Sequence, residues 1–258
     1  MLELAQVNKR FGGLHAVHDV SFTVPAGVIK AVIGPNGAGK TTLFNLIAGN
    51  LPLTSGSINF QDRRIDGLGA HRVAARGISR TFQNIKLFHG MTALENVMVG
   101  RHLRSRGGFW AGLLHPPWSR REERAIRERA RELLDFVDLG RDADVEAGSL
   151  AFGQQRAVEL ARALAAEPKL LLLDEPAAGL NIYETAEIGR LIRRIRDMGI
   201  TVLLVEHDMS LVMEISDEVV VLNFGEKIAE DVPRAVQQHP EVIRIYLGEE
   251  DELFARAG

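Results

Sequence analysis

One short segment constrains the fold of this chain more than any other. It reads Gly34-Pro35-Asn36-Gly37-Ala38-Gly39-Lys40-Thr41 and matches G-x-x-x-x-G-K-[ST], the pattern of a phosphate-binding loop. Glycines let the backbone curl so that successive N–H groups point at phosphate oxygens. Lys40 supplies a compact positive charge for the β- and γ-phosphates, and Thr41 offers a hydroxyl to Mg²⁺. The segment therefore predicts a nucleoside triphosphate site.

The residues on either side of this loop have the pattern that such a site requires. Val28–Ile33 is a β-branched run that predicts a buried strand. Thr42–Ala48 follows with helical spacing, and Gly49 can end that helix. The phosphates would meet the N-terminus of the helix, where the dipole favours anions and Thr42 is within reach.

A second segment has the acidic residues that phosphoryl transfer needs. The apolar run Leu170–Leu173 predicts a strand that ends in Asp174 and Glu175. Adjacent side chains on a strand point in different directions, so these two carboxylates can have different roles. We assign Asp174 to Mg²⁺, and Glu175 to the attacking water as general base.

The order of apolar segments along the chain predicts an α/β fold. Short strands bounded by turn residues come first. From Leu170 onward, apolar strands alternate with a helical pattern over Tyr183–Arg196, as in a parallel sheet with a crossover helix. Besides the strand before the phosphate loop, the predicted strands are Leu2–Val7, Ala16–Val24, Ser57–Phe60, Leu170–Leu173, Thr201–Val205 and Val219–Asn223.

The middle of the chain is helical and basic. Residues 101–131 contain nine Arg and three Glu, and Ser119–Glu122 has the pattern of a capping box that opens a helix. Both tryptophans, Trp110 and Trp118, lie in this region. The basic, aromatic stretch 101–121 could contact a protein partner, lipid headgroups or nucleic acid, or could be a solvated insertion packed on neighbouring helices. The apolar positions expected on one helix face are Ile126, Ala130, Leu133, Leu134 and Val137.

Composition narrows the class of protein. The chain has 258 residues, no cysteine and a formal charge of -3. Disulfides, thiolate nucleophiles and Cys-ligated zinc are excluded, and no bulk attraction to nucleic acid is expected. The first residues lack the basic and apolar regions of a signal peptide, and no run of about 18 apolar residues predicts a membrane span.

A glycine-containing segment, Leu150–Arg156, lies between the two halves of the predicted site. It precedes an amphipathic helix with apolar residues at Val158, Ala161, Leu164 and Ala165. A glycine at this position leaves a helix N-terminus open to an anion.

Taken together, these motifs resemble those of ABC transporter ATPases, over nearly the whole chain. The motifs concerned are Gly34–Thr41, Gln83, Leu150–Gln155, Leu173–Pro176 and Glu206–Asp208. In detail the chain resembles the branched-chain amino acid uptake ATPases, in the first of their two ATPase subunit types. The stretches that show this are Lys9–Leu14, Arg80–Gln83, Leu150–Arg156, Glu175–Asn181, Glu206–Met209 and Val242–Gly248.

The resemblance implies roles for individual residues. Phe11 would stack on adenine, Gln83 would contact Mg²⁺ and the water, and His207 would touch the γ-phosphate. Gly153 and Gln154 match the signature that binds ATP held by the opposite subunit. Each has a plainer interpretation, namely a buried strand-end Phe, a surface amide, a structural His and an ordinary helix start.

One departure from the family pattern concerns the signature. The usual motif has Ser and Gly where this chain has Ala151 and Phe152. Without the serine hydroxyl, backbone N–H groups and the helix dipole are left to bind the γ-phosphate. We interpret the change as a mark of the branched-chain subgroup.

The resemblance also implies an architecture and an assembly. The fold would be a P-loop NTPase (RecA-like) core with an N-terminal antiparallel β subdomain and an inserted α-helical subdomain. The single domain 1–258 would divide into a core at 1–83 and 157–258 and a helical subdomain at 84–156. The chain would be a Mg-dependent ATPase at the cytoplasmic face of the inner membrane. Its partners would be permease subunits, a second ATPase subunit in a homo- or heterodimer and, indirectly, an extracytoplasmic binding protein.

The sequence also offers arguments about three alternative functions and about the cargo. A soluble ABC-type ATPase acting on nucleic acid or ribosomes usually has two cassettes or long coiled-coil insertions, which 258 residues cannot accommodate. A GTPase would need N-K-x-D, but Asn8-Lys9 is followed by Arg10-Phe11. A P-loop kinase would leave Leu150–Arg156 and His207 unexplained. Amino acids are the expected cargo, with urea or short amides as alternatives.

Overall fold

Two β-sheets and a set of surrounding helices form the fold. A computed structural model describes residues 1–101 and 117–246, with the side chains of 117–120 excluded. Most of the basic segment 101–121, including Trp110, and Leu247 and Gly248 of the last motif lie outside the described residues, and the side chain of Trp118 is among those excluded. The described strands are β1 (Leu2–Phe11), β2 (Leu14–Val24), β3 (Ile29–Ile33), β4 (Ser55–Phe60), β5 (Arg63–Arg64), β6 (Ile78–Arg80), β7 (Leu170–Asp174), β8 (Thr201–Val205), β9 (Glu218–Asn223) and β10 (Glu226–Asp231). The described helices are α1 (Lys40–Ile47), α2 (Ala70–Ala75), α3 (Ala93–Gly100), α4 (Pro117–Phe136), α5 (Phe152–Ala165), α6 (Ile182–Asp197), α7 (Met209–Ile215) and α8 (Pro233–Gln238), and residues 240–246 are helical as well.

The larger sheet places the ends of the motif-bearing strands side by side. Within the described residues it has six strands in the order β10-β9-β3-β8-β7-β6. All neighbours are parallel except β10, which pairs antiparallel with β9. The carboxyl ends of parallel strands meet at one edge of a sheet, and ligands bind in α/β proteins at that edge. The segments after β3, β7 and β8 therefore lie close together.

Both faces of the larger sheet are buried, because its central strands are apolar throughout. Ala31 and Ile33 of β3 face one core cluster, whereas Val32 faces the other. In β7, Leu171 and Leu173 face the first cluster, whereas Leu170 and Leu172 face the second. Alternation along a strand sends successive side chains to opposite faces, so a continuous apolar run fits a sheet covered on both sides.

The smaller sheet covers one of these faces. Its four strands within the described residues have the order β2-β1-β4-β5 and are antiparallel. Leu4 of β1 and Phe22 of β2 pack in the same cluster as Phe44 and Ile47 of α1. The predicted α/β class and N-terminal antiparallel sheet are confirmed.

Helices α3, α4 and α5 pack against one another on the opposite side. Four of the five apolar positions predicted on α4 are buried, and Ile126 is half-buried. The predicted start of α4 is wrong. The chain is already helical at Pro117, a residue suited to the first helical turn, so the helix does not begin at Ser119.

Helix α5 also begins earlier than the sequence analysis placed it. Its first residue is Phe152, so Gly153 and Gln154 lie in the first turn rather than before the helix. The proposed subdomain boundary between residues 156 and 157 falls inside α5 and stays a prediction. Among residues 1–101 and 117–246, helices with the length and apolar character needed to cross a bilayer are absent.

Candidate nucleotide-binding site

The phosphate-binding loop connects β3 to α1, and two of its glycines have no room for a side chain. Gly34 has a φ of 149°, and a Cβ there would lie 2.0 Å from the Leu222 carbonyl oxygen. Gly39 has a φ of 102°, and its Cβ would lie 2.4 Å from the Ala16 oxygen. Glycine is therefore required at both positions by backbone conformation and by close packing.

The loop is held from outside by the turn between β9 and β10. The Gly225 N–H donates to the Ala38 oxygen at 3.0 Å, and the His18 N–H donates to the Gly225 oxygen at 2.8 Å. Within the loop, the Ala38 N–H donates to the Pro35 oxygen at 3.2 Å. These bonds hold the cradle in shape before any phosphate enters, which lowers the cost of ordering it on binding.

Lys40 is positioned by the loop itself. Its side chain is buried, and Nζ donates to the Gly34 oxygen at 2.6 Å and to the Pro35 oxygen at 2.9 Å. A buried ammonium is stable only with such partners, and phosphate oxygens would be stronger ones because they are charged.

An open cavity of about 430 Å³ lies over the loop and brings most of the predicted residues together. The cavity is lined by Asn36–Thr42 of the loop, by Glu175 and His207, and by Phe11. Phe11 is 47% exposed, so the interpretation as a buried strand-end residue is wrong. Leu14, His15 and Phe224 also line the cavity, and the sequence analysis missed them. Phe224 follows β9 in a two-residue turn, and only tertiary folding brings it to the same cavity as Phe11.

Glu175 lies at the centre of a polar triad. The Gln83 Nε2 donates to its Oε2 at 2.7 Å, and the His207 Nε2 lies 2.9 Å from its Oε1. The Glu175 side chain is 14% exposed and faces the cavity. Its backbone has a φ of 50°, a left-handed conformation that is rare outside glycine and typical of functional sites. The structure thus brings three predicted residues from distant segments into contact.

Asp174 has a partner that the sequence analysis missed. Its Oδ2 accepts from Arg80 Nη2 at 2.7 Å, and Arg80 Nη1 donates to the Asn45 oxygen at 2.7 Å. Both Asp174 and Arg80 are buried side chains. Arg80 belongs to the motif Arg80–Gln83, but its contact with Asp174 depends on the parallel pairing of β6 with β7, which only the fold shows.

The predicted Mg²⁺ ligands are a hydroxyl, an amide and a carboxylate, on Thr41, Gln83 and Asp174. Oxygen donors of this kind suit Mg²⁺, which usually keeps several waters and binds through one or two carboxylates and substrate phosphates. The described residues contain no cluster of three or more His, Cys, Asp or Glu that could hold a metal by itself. The donor set therefore fits a cation that is shared with a phosphate.

Glu206 is a second residue that the sequence analysis left without a role. It is buried, Oε1 accepts from the Ala177 N–H at 2.7 Å, and Oε2 accepts from the His207 N–H at 3.0 Å. Burial raises the pKa of Glu206, and the backbone N–H groups oppose that rise. Glu206 thus ties the loop after Glu175 to the loop that holds His207.

Gly153 and Gln154 lie apart from this cavity, in the first turn of α5. Gln154 Oε1 accepts from the Ala151 N–H at 3.1 Å, and a Cβ on Gly153 would lie 2.9 Å from a Glu184 oxygen. The Phe152 ring packs on Gly179. The signature turn therefore contacts the start of α6. Neither Gly153 nor Gln154 is among the residues that line the cavity over the phosphate loop.

Two family models match the chain. The model described as "ABC transporter" matches residues 17–178, and the model described as "Branched-chain amino acid ATP-binding cassette transporter" matches residues 226–252. The first match covers more than half of the chain and contains the phosphate loop, the signature, Asp174 and Glu175.

Curated relatives match over nearly their full length. The high-affinity branched-chain amino acid transport ATP-binding protein BraF of Pseudomonas aeruginosa is 46% identical, over 96% of this chain and 98% of its own. The corresponding protein LivG of Escherichia coli is 43% identical over the same shares.

Solved structures agree with the fold. The ADP conformation of an ATP-binding cassette of an ABC transporter superposes with a TM-score of 0.84 at 33% identity, over 96% of this chain and 98% of that one. A dimeric cassette in a post-hydrolysis state, bound to ADP and Pi, gives 0.76 at 28% identity, over 91% and 99%. The predicted P-loop NTPase fold is confirmed, and the chain belongs to the ABC transporter ATPases, among the ATP-binding proteins of branched-chain amino acid transport.

Proposed function

We propose that this chain is the ATP-hydrolysing subunit of an ABC importer that takes up branched-chain amino acids or related small polar solutes. The observation that supports this most directly is the triad of Gln83, Glu175 and His207 beside the phosphate loop. The relatives named above support the transport role, since their names specify branched-chain amino acid transport.

ATP would enter the cavity over the phosphate loop. Adenine would stack on Phe11, while the phosphates would contact Gly34–Thr42 and exchange for the carbonyl partners of Lys40. The N-terminus of α1 adds a favourable dipole for the phosphate charge. Binding therefore uses groups that the loop already holds in place.

Hydrolysis would use Glu175 as general base. The carboxylate accepts a proton from water as the water oxygen bonds to the γ-phosphorus and the bond to the bridging oxygen breaks. His207 would move its hydrogen bond from Glu175 to the γ-phosphate, and Gln83 would orient the water. Each Glu175 oxygen has two lone pairs, so it can accept from water while it is held by Gln83.

Mg²⁺ would be held by Thr41, Gln83 and Asp174 together with phosphate oxygens. When bound, the ion neutralises charge on the β- and γ-phosphates. Asp174 would then share its carboxylate between the ion and Arg80.

Two ATPase subunits would form a sandwich in which Gly153 and Gln154 contact ATP held by the other subunit. The dimeric cassette bound to ADP and Pi supports this arrangement. Gly153 and Gln154 do not line the cavity over the chain's own phosphate loop, which agrees with a role at the ATP of the other subunit. The second subunit would be a copy of this chain or a different ATPase.

The chain would bind membrane permease subunits at the cytoplasmic face of the inner membrane, and these would be fed by an extracytoplasmic binding protein. We also propose one domain over 1–258, with a nucleotide-binding core at 1–83 and 157–258 and a helical subdomain at 84–156. The surface after Gln83 would transmit the closing motion to the permease. An action on nucleic acid or ribosomes is not favoured by relatives that are named for transport.

The test is reconstitution. The chain is co-expressed with branched-chain amino acid permease subunits and a second ATPase subunit, purified, and placed in vesicles with labelled leucine and an extracytoplasmic binding protein. We expect ATP-dependent uptake, and ATPase activity that rises with protein concentration and again with permease. Uptake that is independent of ATP, or an activity stimulated by nucleic acid and not by permease, would reject the proposal.

A further inference from the structure

Arg156 is a fully buried cation in the first part of α5. Its Nη1 donates to the Phe82 oxygen at 3.0 Å and to Glu159 Oε2 at 2.8 Å. Its Nη2 donates to the Gln83 oxygen at 2.9 Å. One planar guanidinium thus joins the helix of the signature turn to two successive backbone carbonyls of another segment.

That segment carries the side chain that holds the proposed general base. Gln83 is exposed, yet its Nε2 donates to Glu175 Oε2 at 2.7 Å. The backbone position of Gln83 determines which atoms its side-chain amide can contact. Arg156 holds that backbone through its hydrogen bond to the Gln83 carbonyl. A continuous series of hydrogen bonds therefore runs from α5 through Gln83 to Glu175.

We infer that Arg156 is a positioning residue that couples the signature turn to the general base through the backbone of Gln83. The inference rests on the proposed function, because it uses the roles assigned there to Gln83 and Glu175. In a two-subunit sandwich, the signature turn contacts ATP on the other subunit. Arg156 would then make the geometry of one ATP site depend on occupancy of the other.

A purely structural role for Arg156 is the competing explanation. Arg156 and Glu159 form a buried ion pair, and losing one partner of such a pair is strongly destabilising. Replacing both partners by apolar residues of similar volume is often neutral for stability. The pair can therefore be removed in a way that separates folding from positioning.

Three variants distinguish a structural role of Arg156 from a positioning role. Arg156→Met with Glu159→Leu removes the ion pair and the grip on both carbonyls. Glu159→Gln is the matched control, because it removes the negative charge but keeps an amide oxygen that can accept from Arg156 Nη1, so that Arg156 stays bonded to the Phe82 and Gln83 carbonyls. Arg156→Lys keeps the charge but cannot donate to two carbonyls in the same fork geometry. Each variant is made in the full chain and first checked for cooperative thermal unfolding.

The first measurement is amide hydrogen exchange of the nucleotide-free protein. In the paired apolar variant we expect peptides over residues 82–90 to exchange about 10-fold faster, while α5 stays protected. Glu159→Gln should change these peptides by less than about 2-fold. Unchanged exchange over residues 82–90 in the paired variant would overturn the inference. Because this measurement uses nucleotide-free protein, failure of the inference can be distinguished from failure of the proposed function.

The second measurement is steady-state ATP hydrolysis. We expect the paired variant to lose about 10- to 100-fold in kcat with little change in KM, because a small displacement of a positioning group affects the reacting geometry. The kcat of Arg156→Lys should lie between that of the paired variant and that of the wild type. A paired variant with wild-type kcat, or a Glu159→Gln variant that loses as much as the paired one, would overturn the coupling.

Discussion

The Nε2 atom of His207 lies 2.9 Å from Oε1 of Glu175, although 31 residues separate them along the chain. The contact forms because β7 and β8 are parallel neighbours, so the residues that follow them meet at one edge of the sheet. In this arrangement the imidazole contacts the carboxylate that we propose as the general base. Its transfer to the γ-phosphate would release one Glu175 oxygen when ATP is bound.

We expect Glu175→Gln to retain ATP binding and to lose hydrolysis. The change keeps the shape of the side chain and removes the base, which costs about 10²- to 10⁴-fold in rate. Steady-state hydrolysis and titration with a fluorescent ATP analogue measure the two effects separately. Glu187→Gln, an exposed acid on α6, is the control. Wild-type turnover in Glu175→Gln would show that another group orients the water, with His207 the next candidate.

We expect Lys40→Ala to abolish tight Mg-ATP binding. Lys40 is held at the base of the cavity, and losing charge-assisted hydrogen bonds to phosphate costs about 3 kcal/mol, roughly a hundredfold in Kd. The measurement is equilibrium titration. Lys169→Ala serves as the control, because Lys169 is exposed and bonds Gln61 away from the cavity. Near-normal affinity in Lys40→Ala would reject this site.

We expect Asp174→Asn to raise the Mg²⁺ concentration needed for half-maximal hydrolysis by about 10-fold, because a neutral amide binds Mg²⁺ more weakly than a carboxylate. Binding of ATP without Mg²⁺ should change less. Since Asp174 also pairs with Arg80, thermal unfolding is recorded in parallel. An unchanged Mg²⁺ requirement would mean that Asp174 acts only through Arg80.

We expect Glu206→Gln to reduce both stability and turnover. The carboxylate accepts backbone N–H groups on both oxygens, and a Gln would place its NH₂ against one of those donors. An unsatisfied buried group costs about 1–3 kcal/mol, and the loop holding His207 loses its anchor. Thermal unfolding and hydrolysis are the measurements, and Glu214→Gln on the surface of α7 is the control. A variant with normal stability and turnover would contradict the anchoring role.

Two glycines of the phosphate loop should respond differently to alanine. Gly37 has a φ of 82° with open space around a Cβ, so Gly37→Ala should cost about 1–2 kcal/mol from the backbone alone. Gly34→Ala adds an overlap with the Leu222 oxygen, and we expect at least about 2 kcal/mol more. Thermal unfolding compares the two, and equal losses would mean that the loop shifts freely.

The phosphate loop, the strand before it and the acidic end of β7 could be predicted from the sequence because their chemistry is local. Gly34–Thr41 needs its residue types at fixed spacing, and an apolar run such as Leu170–Leu173 determines its own burial in a sheet. The helix starts were less predictable. Both Ser119 and Leu150–Arg156 offered plausible boundaries, yet α4 is helical from Pro117 and α5 begins at Phe152. Packing against neighbouring helices outweighs such weak local preferences.

By itself, the sequence determined which groups this protein can offer to a nucleotide, since residue type and spacing specify a phosphate-binding loop and two adjacent carboxylates at the end of an apolar strand. Only the tertiary structure decided how those groups are held. Arg80 against Asp174, Glu206 between two loops, and Arg156 on the Gln83 carbonyl each join segments that are far apart in the chain. Such contacts depend on strand order and helix packing, and a buried side chain finds its hydrogen-bond partners only where the fold places them.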